Sequence, residues 1–138
     1  MKKLAVCLAV VLALGLIFSG CGEGKKTNER DNYLKAMTDV KDIGMSVEAY
    51  SVDNYDCPNV ATLGELKAKL FPTYIRSLPE KDPWGNPYIY KYVEKEVYMI
   101  GCGGSDGKFD GFEQKGTYST YEGQDIIFSQ GEFVLHPL

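Results

Sequence analysis

Carboxylates and glycines concentrate in one stretch of this chain, Gly103-Gly104-Ser105-Asp106-Gly107-Lys108-Phe109-Asp110-Gly111, and in a second short run, Gly123-Gln124-Asp125-Ile126. Calcium takes six to eight oxygen ligands at about 2.3 to 2.6 Å, so close-approach glycines, free carbonyls and several aspartates suit it; magnesium, which demands a rigid octahedron, is disfavoured. Gly104, Gly107 and Gly111 permit positive φ and can turn carbonyls inward. The spacing is not that of an EF-hand, since Asp106 to Asp110 lacks the alternating acids and the terminal glutamate of that loop. On residues alone the same composition also describes a solvated turn. Other chemistry has little to build on: there is no serine elbow, no cysteine–histidine constellation, no HExxH and no Walker loop. The sequence predicts no enzyme.

Cysteine usage depends on the compartment, and the first residues speak to that. Lys2 and Lys3 precede an apolar run from Leu4 to Phe18, then Ser19 and Gly20 before Cys21, the layout of an export signal. The run is short for a membrane span of about 20 residues. Phe18-Ser19-Gly20-Cys21 resembles a bacterial lipobox, which implies lipidation of Cys21 and removal of residues 1–20 as a lipoprotein signal peptide. The alternative is an uncleaved anchor helix. Several acyl chains, at about 0.8 kcal/mol per buried methylene, hold a protein firmly to a bilayer. Gly22 stands where an aspartate would signal inner-membrane retention, so the expected address is the outer membrane, on its periplasmic or surface face.

Of the four cysteines, Cys57 and Cys102 remain once Cys7 leaves with the signal and Cys21 carries lipid. In an oxidising envelope they are the candidate disulfide, worth about 4 kcal/mol on the chain-entropy model. A redox or metal pair is the alternative, although neither belongs to a CxxC motif. The net charge of −4 becomes −6 when Lys2 and Lys3 depart, which gives nucleic acid no basic patch.

The 118 residues after the signal amount to one domain. Residues 21–32, polar and charged after Cys21, read as a flexible tether, and residues 33–138 as the globular part. Tyr33, Met37, Val40, Ile43 or Gly44, Val47 and Tyr50 recur at helical spacing, while Lys35, Asp39, Lys41, Asp42 and Glu48 stay off that stripe. This predicts one amphipathic helix over about 31–53, its stripe buried on its own sheet. Thr62 and Glu65 form a capping box for a short helix ended by Pro72. The run Asp82-Pro83-Trp84-Gly85-Asn86-Pro87-Tyr88 is a stiff corner, because its prolines fix φ and Gly85 frees the turn. Tyr88, Tyr90 and Tyr92 then alternate along a strand that pairs with Val97–Cys102 through Glu94-Lys95-Glu96, and a second hairpin joins Asp125–Ser129 to Glu132–His136. Alternating tyrosines read as sheet packing, with a carbohydrate-binding face as the other reading.

The corner, together with Ala49-Tyr50, Asp53, Tyr55, Pro58, Leu78-Pro79, Tyr90, Tyr98, Gly104-Ser105-Asp106-Gly107 and Asp125-Ile126, resembles the globular domain of the major pseudopilin of type II secretion systems. The resemblance implies an α+β pseudopilin-like fold, a long N-terminal helix on a small antiparallel sheet, with a metal-binding loop before the last hairpin. It implies a structural calcium held by Asp106, Asp125 and backbone carbonyls, Gly103 among them; Asp110 has no sure counterpart and is either a further ligand or a turn residue. The segment Lys108–Gln124 is longer than the compact family loop. The N-terminus departs further, lacking the glycine-phenylalanine cleavage site and long apolar helix through which pseudopilins stack. The expected function is therefore a lipid-anchored accessory of a type II secretion or type IV pilus-like assembly, in contact with other pseudopilins or secretion components. The competing expectation is a stand-alone surface lipoprotein that binds a small ligand or polysaccharide on the same fold; neighbouring secretion genes discriminate the two.

Overall fold

The computed structural model describes residues 28–138; the expected signal peptide over residues 1–20, Cys21 and most of the expected tether lie outside the described residues. The chain runs α1 (Glu29–Asn54), α2 (Leu63–Leu70), β1 (Ile89–Glu94), β2 (Val97–Cys102), a single 3₁₀ turn over Gly104–Asp106, β3 (Gly116–Tyr118), β4 (Ile126–Ser129) and β5 (Glu132–Pro137). It is an α+β fold in which one long helix packs on one sheet.

Helix α1 begins two residues before its predicted start. The Asn28 side chain accepts from the Arg30 amide, and Glu29 and Asp31 place negative charge in the first turn, where it favours the helix dipole. Residues 29–32, expected in the tether, are therefore helical. The stripe is buried as predicted: Tyr33, Ala36, Val40, Ile43 and Val47 are fully inaccessible. Burial of each large aliphatic contributes about 1.5–3 kcal/mol. Gly44 lets the helix approach the sheet, since a Cβ there would fall 2.2 Å from Phe128 Cε1. Asp39, expected off the stripe, is buried as well. The Tyr88 hydroxyl donates to its Oδ2 at 2.8 Å and Lys35 pairs with its other oxygen, so the charge is compensated. The Thr62–Glu65 capping box of α2 forms as read.

The sheet has the order β1-β2-β4-β5-β3. Its first four strands are antiparallel, with Tyr90 opposite Ile100 and Gly101 opposite Ile127. The predicted all-antiparallel sheet needs one correction: β3 pairs parallel to β5 through Gly116↔Leu135 and Thr117↔His136. The loop expected before the last hairpin thus contains a 3₁₀ turn and an edge strand. The alternating tyrosines are packing residues: the Tyr90 hydroxyl donates to the Pro58 carbonyl at 2.8 Å, and Tyr90 stacks with Tyr98 at 6.3 Å.

The expected disulfide is absent. Cys57 and Cys102 are buried free thiols, Cys57 beside the Glu94 carbonyl and Cys102 beside Asp82. Glu94 ends β1 next to the turn, whereas Cys102 ends β2 at the opposite end of the strand pair. Glu94 pairs with Val97, so about five residues of strand, roughly 17 Å, lie between these positions, and a disulfide needs Cα atoms within about 7 Å.

Candidate metal centre

The corner at residues 82–88 supports the loop from below. Asp82 is buried; its Oδ1 accepts from the amides of Trp84 at 3.0 Å and Asn86 at 2.9 Å, while its backbone bonds to Asn86 and Gly85 close the turn. The Cys102 thiol donates to Asp82 Oδ2 at 3.4 Å. Burial pushes that thiol up to about 12, and the neighbouring Asp82 charge adds to the shift. Trp84 packs edge-on to Tyr33 at 4.8 Å between ring centroids and donates from Nε1 to Glu29 at 3.1 Å. The corner therefore clamps the first turns of α1 to the end of β2.

Tyr33 extends that clamp to both ends of the glycine-rich segment. Its hydroxyl accepts from the amides of Gln124 at 3.0 Å and Ser105 at 3.3 Å, and donates to the Gln124 carbonyl at 3.2 Å. Gly104, at φ 61°, makes this approach possible: a Cβ there would fall 2.1 Å from the Gln124 oxygen and 2.7 Å from the Tyr33 hydroxyl. Ser105 Oγ accepts from the Gly123 amide at 2.7 Å. Two segments some twenty residues apart are thereby laced together on the helix.

Asp125 sits inside this arrangement. It is 2% exposed. Its Oδ2 accepts from the Asp110 amide at 2.8 Å and from Gln114 Nε2 at 2.9 Å, and the Tyr118 hydroxyl donates to its carbonyl at 2.9 Å. Its Oδ1 is buried with no hydrogen-bond partner. Burial raises the carboxyl above its ordinary value, and the charges of Asp110 and Asp106 push it further the same way. An orphaned, buried carboxylate oxygen costs about 1–3 kcal/mol, more when charged; a proton or a cation is a partner that would remove that cost.

The other predicted ligands are placed less uniformly. The Asp106 carboxylate lies over Gly123, where a Cβ would be 3.2 Å from Oδ2, and its Oδ1 accepts from the Lys108 amide at 2.9 Å. Asp110 is exposed and meets Asp125 through its amide. Gly103 is buried under the turn, with a Cβ there falling 2.9 Å from the Lys108 carbonyl carbon. Among the described residues no three His, Cys, Asp or Glu side chains gather closely enough to hold a metal by themselves, so a cation on Asp125 needs backbone carbonyls as well. Gln114 and Tyr33 were missed by the sequence reading. Nothing in their spacing marks them, because each reaches its partner through tertiary contact.

A family model described as type II secretion system (T2SS), protein G, matches residues 25–119. The match covers α1, α2, the corner, the first hairpin, the glycine-rich turn and β3, and stops before Asp125. No curated protein matches the chain significantly. With the helix-on-sheet architecture and more than half of its length matched, the chain belongs to the type II secretion system protein G family of pseudopilins.

Proposed function

We propose that this protein is a lipid-anchored, calcium-stabilised accessory of the secretion assembly, working by contact with other pseudopilins or secretion components and not by catalysis. The family makes it a pseudopilin-like, envelope-associated component of a secretion system. The observation that carries the accessory reading is the run Phe18-Ser19-Gly20-Cys21 ahead of that domain, which resembles a lipobox. A chain whose apolar segment is removed and replaced by lipid cannot stack in the fibre through that segment. No helix among the described residues is long and apolar enough to cross a membrane; in this reading the lipid on Cys21 is the attachment.

Calcium would be held by Asp125 and Asp106 with loop carbonyls, Gly103's among them, and Asp110 as a further oxygen donor. Its chemistry is electrostatic: it would neutralise the Asp125 carboxylate, against which the charges of Asp110 and Asp106 bear, and tie the glycine-rich turn to the last hairpin. The orphaned Asp125 oxygen supports this. At free calcium about 100 times its dissociation constant, bound metal adds roughly 2.7 kcal/mol of stability.

Crosslinking in intact envelopes tests the accessory role. The wild-type chain should be recovered with the major pseudopilin or a membrane component of the same system, and Cys21→Ala should release it to the soluble fraction. Recovery with no secretion component would contradict the proposal.

A further inference from the structure

Most of α1 is accounted for by the sheet beneath it, but one flank is not. Leu34, Met45 and Val52 on the helix, and Tyr55 at its C-cap, are among the large apolar side chains left exposed, from 46% to 78%. With Lys41 and Glu48 they recur at spacings of seven, four, three, four and three, the repeat of a seam that a second helix can cover. The flank opens into a hollow at each end. One, of about 250 Å³, is lined by Leu34, Met37, Thr38, Lys41 and Phe133. The other, of about 420 Å³, is lined by Glu48, Ser51, Val52 and Tyr55 with Glu96 and Gln130 from the hairpin turns. The first hollow has one charged side chain, a lysine; the second has two, both glutamates.

We infer that this flank is covered by a second copy of the chain, with the two α1 helices antiparallel about a two-fold axis between Gly44 and Met45. In that register Lys41 faces Glu48 of the second copy, Leu34 faces its Tyr55 and Met37 faces its Val52. Symmetry makes each contact twice, and the basic hollow of one copy meets the acidic hollow of the other at both ends. A parallel, in-register pair would oppose Lys41 to Lys41 and Glu48 to Glu48, which like-charge repulsion disfavours. A parallel pair shifted by seven residues makes one Lys41–Glu48 contact and sets Leu34 against Lys41 and Tyr55 against Glu48. The antiparallel register alone satisfies both the charges and the apolar ends. The seam is roughly 33 Å long and one helix wide, small for a specific interface, so the dimer is weak and depends on concentration. The inference uses neither the loop metal nor the lipid anchor.

Site-specific crosslinking of two differently tagged full-length chains in envelopes tests it. A Leu34→Cys chain should crosslink to a Tyr55→Cys chain, whereas Leu34→Cys should not crosslink to itself. Crosslinking of Leu34→Cys to Lys41→Cys instead would indicate a head-to-tail array and overturn the inference, as would no crosslink in any combination. Charge exchange checks the same contact without removing apolar area, although Glu48→Lys also takes an acceptor from the Tyr98 hydroxyl: Lys41→Glu should cut the wild-type dimer yield several-fold, and Lys41→Glu with Glu48→Lys should restore it. Failure of the double variant to recover, with its melting temperature unchanged, would also overturn it.

Discussion

The Tyr33 hydroxyl accepts from the amide of Gln124 and donates to the carbonyl of the same residue, at 3.0 and 3.2 Å. One side chain in the first turns of α1 thus fixes both polar groups of the residue that precedes Asp125. It also accepts from the Ser105 amide, so the helix, the glycine-rich turn and the run into β4 share one oxygen. Buried hydrogen bonds of this kind contribute modestly when made and cost more when one partner is lost.

Removing that oxygen should therefore hurt more than one hydrogen bond. Tyr33→Phe keeps the ring packed on Trp84 but leaves the Gln124 and Ser105 groups without their partner, and it should lower unfolding free energy by about 1–3 kcal/mol. Denaturant unfolding measures the loss. Hydrogen exchange should show the amides of Ser105 and Gln124 losing protection before those of β1 and β2.

The Asp125 carboxyl predicts a pH dependence with a definite sign. Its value in the fold lies above the ordinary one, so the native state holds the proton more tightly than the unfolded state. Its contribution is fully present below the unfolded value, about 3.9, and is lost as pH rises through the raised folded value. In metal-free buffer the melting temperature attributable to this group should fall as pH rises across that window. Asp125→Asn should flatten this part of the profile; an unchanged profile would mean that Asp125 is not the titrating group.

The two thiols offer a third check. Burial raises both Cys57 and Cys102, and the two lie at opposite ends of a strand pair. Since the thiolate is the reactive form, neither should react with a maleimide in the native protein. Both should label after denaturation without reductant. A pair that labels only after reduction would restore the disulfide.

The parts of this fold that were legible in the sequence are those set by local pattern. The α1 stripe from Tyr33 to Val47, the Thr62–Glu65 box and the two hairpins each rest on local spacing, and each formed where expected. The corner, too, was readable, because proline and glycine constrain the backbone directly. Strand β3 was not: Gly116–Tyr118 is three residues long, with no alternation to mark it, and it exists because β5 supplies a parallel edge. Asp39 looked like a surface acid until Tyr88 closed over it from 49 residues away. The same holds at the candidate centre. Asp106, Asp110 and Asp125 announce themselves by type, but composition cannot say that Asp125 is buried, that Asp110 is exposed, or that Gln114 reaches Asp125. Nor can it say that two lone cysteines face opposite ends of a strand pair.

Gln114 gives a prediction that separates orientation from ligation. It donates to Asp125 Oδ2 and leaves Oδ1 free, so it orients the carboxylate without itself being among the ligands assigned above. Gln114→Ala should weaken calcium binding by about 10-fold or more with little change in metal-free stability. Isothermal titration on the wild-type and variant chains measures this; equal affinities would remove Gln114 from the site.

The most direct measurement is a calcium titration of the mature chain followed by thermal melting, with a chelator control and with Asp125→Asn beside the wild type. The account predicts a saturable rise in the wild-type melting temperature, reversed by chelator and absent in Asp125→Asn. No rise in the wild type, or an equal rise in the variant, would contradict a cation centre built on Asp125.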